Sequence, residues 1–163
     1  MATQLKNLSD FSHTTVPDAS PFKFAIAVAE WNAEITGSLY NGALEKLLEY
    51  GVEENNIHSV SVPGSFELTA AAELLLNKYP ELDGVICLGC IIQGETRHFD
   101  FICDAVAHGL TQVGIKHNKP VIFGVLTTND QQQAIYRAGG KHGNKGDEAA
   151  ITAIKMAHLA TTI

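Results

Sequence analysis

GVICLGCII, residues 84–92, carries no charged side chain and no polar group beyond two thiols. A strand with one wet face alternates apolar and polar residues, so an unbroken apolar run suits a central strand covered on both faces, as in a parallel sheet. Cys87 and Cys90 spell C-L-G-C inside it, which resembles a redox motif. That motif opens a helix after a strand, however, and here the apolar texture continues on both sides. Positions three apart on a strand point to opposite faces. The expectation is two buried structural thiols.

Working outward, short apolar runs alternate with segments of helical period. FKFAIAVAE (22–30) reads as a strand. It is followed by a segment with Leu39, Ala43, Leu44, Leu47 and Leu48 on one face and Thr36 and Ser38 as candidate caps. IHSVSV (57–62) is a second strand, PGS a turn, and FELTAAAELLLNKY (66–79) a helix that stops before Pro80. Beyond 84–92, Ile102, Ala105, Val106, Gly109, Leu110 and Val113 keep helical spacing. PVIFGVL (120–126) is the fourth strand, with a helix from about 129 to 138. A last helix runs from about 146 to 161, with Asp147 and Glu148 where its dipole favours negative charge. Strands separated by helices predict an α/β fold: a three-layer αβα sandwich around a four-stranded parallel sheet. One domain over 22–163, behind a loose tail over 1–21, accounts for the length.

With 163 residues, 45% hydrophobic and 18% charged, the chain is ordinary for a globular domain. No apolar run approaches the ~20 residues that span a bilayer, so a membrane role is not expected. The net charge of -7 opposes phosphate backbones and excludes nucleic acid as the expected partner. Residues 1–21 hold one lysine and no arginine, with no apolar core of a signal peptide. Three cysteines cannot all pair within one chain. Together these predict a reducing, cytoplasmic setting.

Ligands of parallel α/β sheets bind beyond the carboxyl ends of the strands. Those ends carry AEWN, VPGSFE, QGETRH and TTND, and the later RAGGKHGNKGDE is equally rich. Gly94-Glu95-Thr96 enters a helix, where backbone N–H groups and the Thr96 hydroxyl can face an anion; a simple helix cap is the plainer reading of Thr96. His98, two residues on, is placed as a general acid or base. His58, His117 and His158 look like ordinary surface or helix positions, and no pair has the spacing of a zinc helix, so no metal is expected. Arg137 and Lys145 flank a glycine-dense segment that departs from the GxxxxGK[ST] nucleotide loop; they suit phosphate capture, with a solvated loop the plainer alternative. Trp31, the only tryptophan, can stack on a heterocycle or plug the edge of the core. Glu67 offers a carboxylate to ligand hydroxyls or merely to a helix dipole.

Four of these stretches in this order, VPGSFEL, LGCIIQGETRHFDFI, VIFGVLTTND and RAGGKHGNKGDEAA, resemble the lumazine synthase family over Phe22 to about Leu159. The resemblance implies a flavodoxin-like sheet in the order 2-1-3-4. It implies condensation of 5-amino-6-(D-ribitylamino)uracil with 3,4-dihydroxy-2-butanone 4-phosphate to 6,7-dimethyl-8-ribityllumazine, with no cofactor. By matched position it makes His98 the proton-transfer residue and Arg137 the phosphate anchor, helped by Glu95 and Thr96. Trp31 is the stacking aromatic, and Ser65, Phe66 and Glu67 hold the ribityl chain. Ile91 and Ile92 contact the heterocycle through their backbone, while Phe123 and Lys145 come from a neighbouring subunit. The family forms pentamers, some assembled into 60-subunit icosahedral shells, and the short GGKHGN connection resembles the shell-forming members; a riboflavin synthase is a further expected partner. Many relatives carry arginine at the position of Gln93 and phenylalanine at that of Trp31. Two rival readings are a flavodoxin-like module binding riboflavin or FMN, and a shell protein without activity.

Overall fold

The computed structural model describes residues 7–163. Strand β1 (Phe24–Ala29) leads to helix α1 (Ala33–Glu49), and β2 (Ile57–Val62) to α2 (Leu68–Lys78). These are followed by β3 (Gly84–Ile92), α3 (His98–His117), β4 (Val121–Thr128) and a short α4 (Gln131–Ile135). A two-stranded hairpin, β5 (Ala138–Gly140) and β6 (Gly143–Asn144), then feeds α5 (Lys145–Thr162).

β1 to β4 form one parallel sheet in the order β2-β1-β3-β4, the order expected. All of β3 from Gly84 to Ile91 is buried, because helices cover both faces. One core lies on the α1/α5 side, with Phe24, Ile26, Leu39, Leu47, Leu88, Cys90 and Ile154; the other lies on the α2/α3 side, with Leu68, Leu75, Val85, Cys87, Val106 and Leu110. Cys87 and Cys90 therefore do face opposite layers. Edge strand β2, Ile-His-Ser-Val-Ser-Val, is partly or fully exposed along its whole length.

Three local expectations change. Thr36 and Ser38 do not cap α1, which begins earlier at Ala33; the Thr36 hydroxyl turns back to the Asn32 carbonyl, and that of Ser38 donates to Ala138 O at 2.6 Å. The helix expected over 129–138 is only Gln131–Ile135, because the chain leaves it through Gly139 at φ 99° to make the hairpin. The segment before Phe22 is not loose where it is described, since glycine-rich 138–144 and the α1 C-terminus offer backbone partners to it. Leu8 N–H donates to His142 O at 2.7 Å, the Ser9 hydroxyl accepts from Asn144 N–H, Ala19 N–H donates to Tyr50 O, and Ala19 and Phe22 are buried. The first six residues lie outside the described part.

Candidate active site

At the carboxyl ends of β1 and β3, on the α2/α3 side of the sheet, lies a hollow of about 730 Å³. Trp31, Ser65, Phe66, Glu67, Ile91, Ile92, Thr96 and His98 all line it. Each is carried there by a strand exit. Trp31 follows β1, with its N–H on Pro63 O, and its indole is 72% exposed at the mouth. The turn after β2 places Ser65 against Gly89 of β3 so closely that a Cβ on Gly89 would stand 2.5 Å from the Ser65 hydroxyl. Glycine at 89 is thus what lets Ser65 to Glu67 settle into the floor of the hollow.

β3 delivers Ile91 and Ile92, and its exit is shaped by Gln93. The Gln93 N–H donates to Thr128 O, and its side-chain amide donates to Gly94 O at 2.8 Å. That amide therefore folds onto its own loop. The Thr96 hydroxyl accepts a long 3.4 Å bond from His98 N–H, and α3 starts at His98 itself, with the ring exposed. The N–H groups of Glu95 and Thr96 take no part in the backbone bonding described, so the helix start presents free donors where an anion is favoured. Glu95 is exposed beside the hollow and does not line it.

Phe123, Arg137 and Lys145 are not brought to this hollow. Phe123 lies on edge strand β4, partly exposed. Arg137 follows α4, its guanidinium donating to Gln133 O at 3.0 Å, and its carbonyl accepts from Lys145 N–H at 2.8 Å. Lys145 pairs with Glu148 at 3.1 Å in the first turn of α5. Arg137 and Lys145 thus flank the hairpin as a backbone-bonded pair, packed on the α1/α5 layer across the sheet from the hollow. His142, in the same hairpin, has its pKa lowered by desolvation and by the nearby Arg137 and Lys141. No cluster of three or more metal-ligating side chains forms among the described residues.

A family model described as 6,7-dimethyl-8-ribityllumazine synthase matches residues 21–161. The chain belongs to this lumazine synthase family. It is 60% identical to the 6,7-dimethyl-8-ribityllumazine synthase of Cytophaga hutchinsonii over 163 residues, all of both chains. It is 53% identical to that of Porphyromonas gingivalis over 159 residues, covering 98% of each. Against that of Flavobacterium johnsoniae the identity is 52% over 159 residues, or 98% of this chain and 83% of the relative. Of the twelve residues that the lumazine synthase resemblance implies for the site, the hollow holds eight. Sequence reasoning gave no place to Asn32, which stands next to Trp31 and donates its side-chain amide to Cys90 O; an asparagine directly before a helix reads as an ordinary cap.

Proposed function

We propose that the protein is a 6,7-dimethyl-8-ribityllumazine synthase of riboflavin biosynthesis. It joins 5-amino-6-(D-ribitylamino)uracil to 3,4-dihydroxy-2-butanone 4-phosphate. The observation that carries this reading is one hollow joining an aromatic wall, a polar Ser65–Glu67 floor, free N–H donors at a helix start and a histidine beside them, in a chain of that family. The pyrimidine stacks on Trp31 and meets the Ile91–Ile92 backbone, its ribityl hydroxyls reach Ser65, Phe66 and Glu67, and the phosphate lies at Glu95 and Thr96. The uracil amine attacks the ketone and water leaves to give an imine; phosphate is then eliminated, and ring closure releases a second water. His98 moves the protons. Amine and ketone react unaided, so holding the two substrates together supplies the larger share of the acceleration.

The reading includes an oligomer. Phe123, Arg137 and Lys145 lie away from the hollow of their own chain, and the Lys145–Arg137 backbone bond means that the subunit supplying one supplies the other. A neighbour's hairpin brings the guanidinium to the phosphate in a pentamer, twelve of which form a shell in the cytoplasm, where riboflavin synthase consumes the product. Mixing the two substrates with the protein and following lumazine fluorescence tests the activity: a rate above the uncatalysed one supports it, and a background rate from folded, assembled protein overturns it in favour of a flavin-binding module or an inactive shell.

A further inference from the structure

Asn32 stands between Trp31 and α1 with φ 63° and ψ 47°, one of two non-glycine residues with positive φ among those described. The left-handed region is uncommon for side-chain-bearing residues, and asparagine is among the few that tolerate it. Its side chain is not used as a helix cap. Instead Nδ2 donates to Cys90 O at 2.9 Å, across 58 positions of sequence. The β1–β3 ladder ends where Val28 faces Leu88, so this amide reaches a β3 carbonyl two residues past the last rung. On its other side the Trp31 corner is held to the exit of β2, by Glu30 N–H to Val62 O at 2.8 Å and Trp31 N–H to Pro63 O at 3.2 Å. Glycine would make the same turn without strain, yet would leave the Cys90 carbonyl without this donor. Asparagine satisfies both needs at once.

We propose that Asn32 is a positioning residue: its amide ties the Trp31 corner to Cys90 and thereby fixes the width of the slot between the indole and the Ile91–Ile92 backbone. The role in substrate affinity rests on the reading that this slot takes the ribitylaminouracil. The tether itself does not, and it is measurable without substrate because Trp31 is the only tryptophan. Two variants separate backbone from amide. Asn32→Gly keeps the left-handed turn and removes the donor, whereas Asn32→Asp keeps the shape and turns an acceptor toward the carbonyl.

In both variants, as full-length assembled protein, time-resolved anisotropy of Trp31 shows a larger fast local component than in the parent chain. The KM for the pyrimidine rises about fivefold to tenfold, the cost of losing one positioning hydrogen bond. The KM for the butanone phosphate stays within about twofold, since the anion site lies on another loop. Unchanged anisotropy in both variants overturns the tether, whether or not the protein is active. Looser Trp31 with both KM values raised equally overturns the slot-setting role and reduces Asn32 to a structural turn. Absence of condensation by the parent protein would instead remove the functional reading, and the anisotropy would still decide the tether.

Discussion

His98 is the first residue of α3, its ring exposed in the hollow beside Thr96, with no partner holding it from behind. On the proposed mechanism a residue so placed moves protons without supporting the fold, so His98→Ala is expected to lower kcat by about 10²-fold while light scattering shows the same assembly. Wild-type turnover by that variant would remove the role. The thiols behave differently. Burial pushes Cys87 up to about 12 and Cys90 up to about 11, so neither forms thiolate near neutral pH. Alkylation of the folded protein at pH 7.5 followed by mass spectrometry is expected to leave both unlabelled, and labelling of Cys90 on the native chain would contradict its burial. That the two thiols face opposite layers was legible from the strand period alone. Asn32 was not legible in its role, because only the fold shows which carbonyl its amide meets.

Elements were readable wherever burial dictates composition. β3 is unbroken apolar sequence because both its faces are covered, and β2 carries a histidine and two serines because it lies at an edge. Boundaries set by a single backbone turn were not: α1 starts at a left-handed asparagine, and α4 is cut short by the Gly139 turn. Gly89 shows how element packing builds the site. Gly89→Ala drives a methyl into the Ser65 hydroxyl and is expected to destabilise the fold by about 1–3 kcal/mol, read as a lowered denaturant midpoint; an unchanged midpoint would mean that the turn after β2 is free to move. A separate pin joins α2 to α3, where Glu73 accepts from Lys116 and, at 2.8 Å, meets His117 Nε2. Lys116 first and then His117 hold the Glu73 carboxyl at about 2, below its ordinary 4.5. A carboxylate lowered in this way contributes stability that is fully present above about 4.5 and is lost as pH falls toward about 2. The Tm gap between the parent chain and Glu73→Gln is therefore flat above that window and narrows within it, and a gap that widens on acidification would contradict the pin.

For the whole molecule, the location of the hollow followed from the rule that parallel sheets bind ligands at their carboxyl edge, whereas the strand order 2-1-3-4 came only from the family resemblance. That Lys145 lies apart from His98 was implied only by the family resemblance, and that Arg137 does so was not expected, since motif order along a chain carries no information about which copy of the chain meets which hollow. In the proposed function catalysis needs two chains, one giving His98 and the next giving Arg137. Subunit complementation tests it most directly. His98→Ala and Arg137→Ala chains are each expected to be strongly impaired alone. After equal co-assembly in a ring, about a quarter of the sites pair an intact His98 with an intact neighbouring Arg137, and activity returns to about that fraction of the parent. Activity no higher than the mean of the two separate variants, in mixed assemblies verified by mass, would contradict a site shared between subunits.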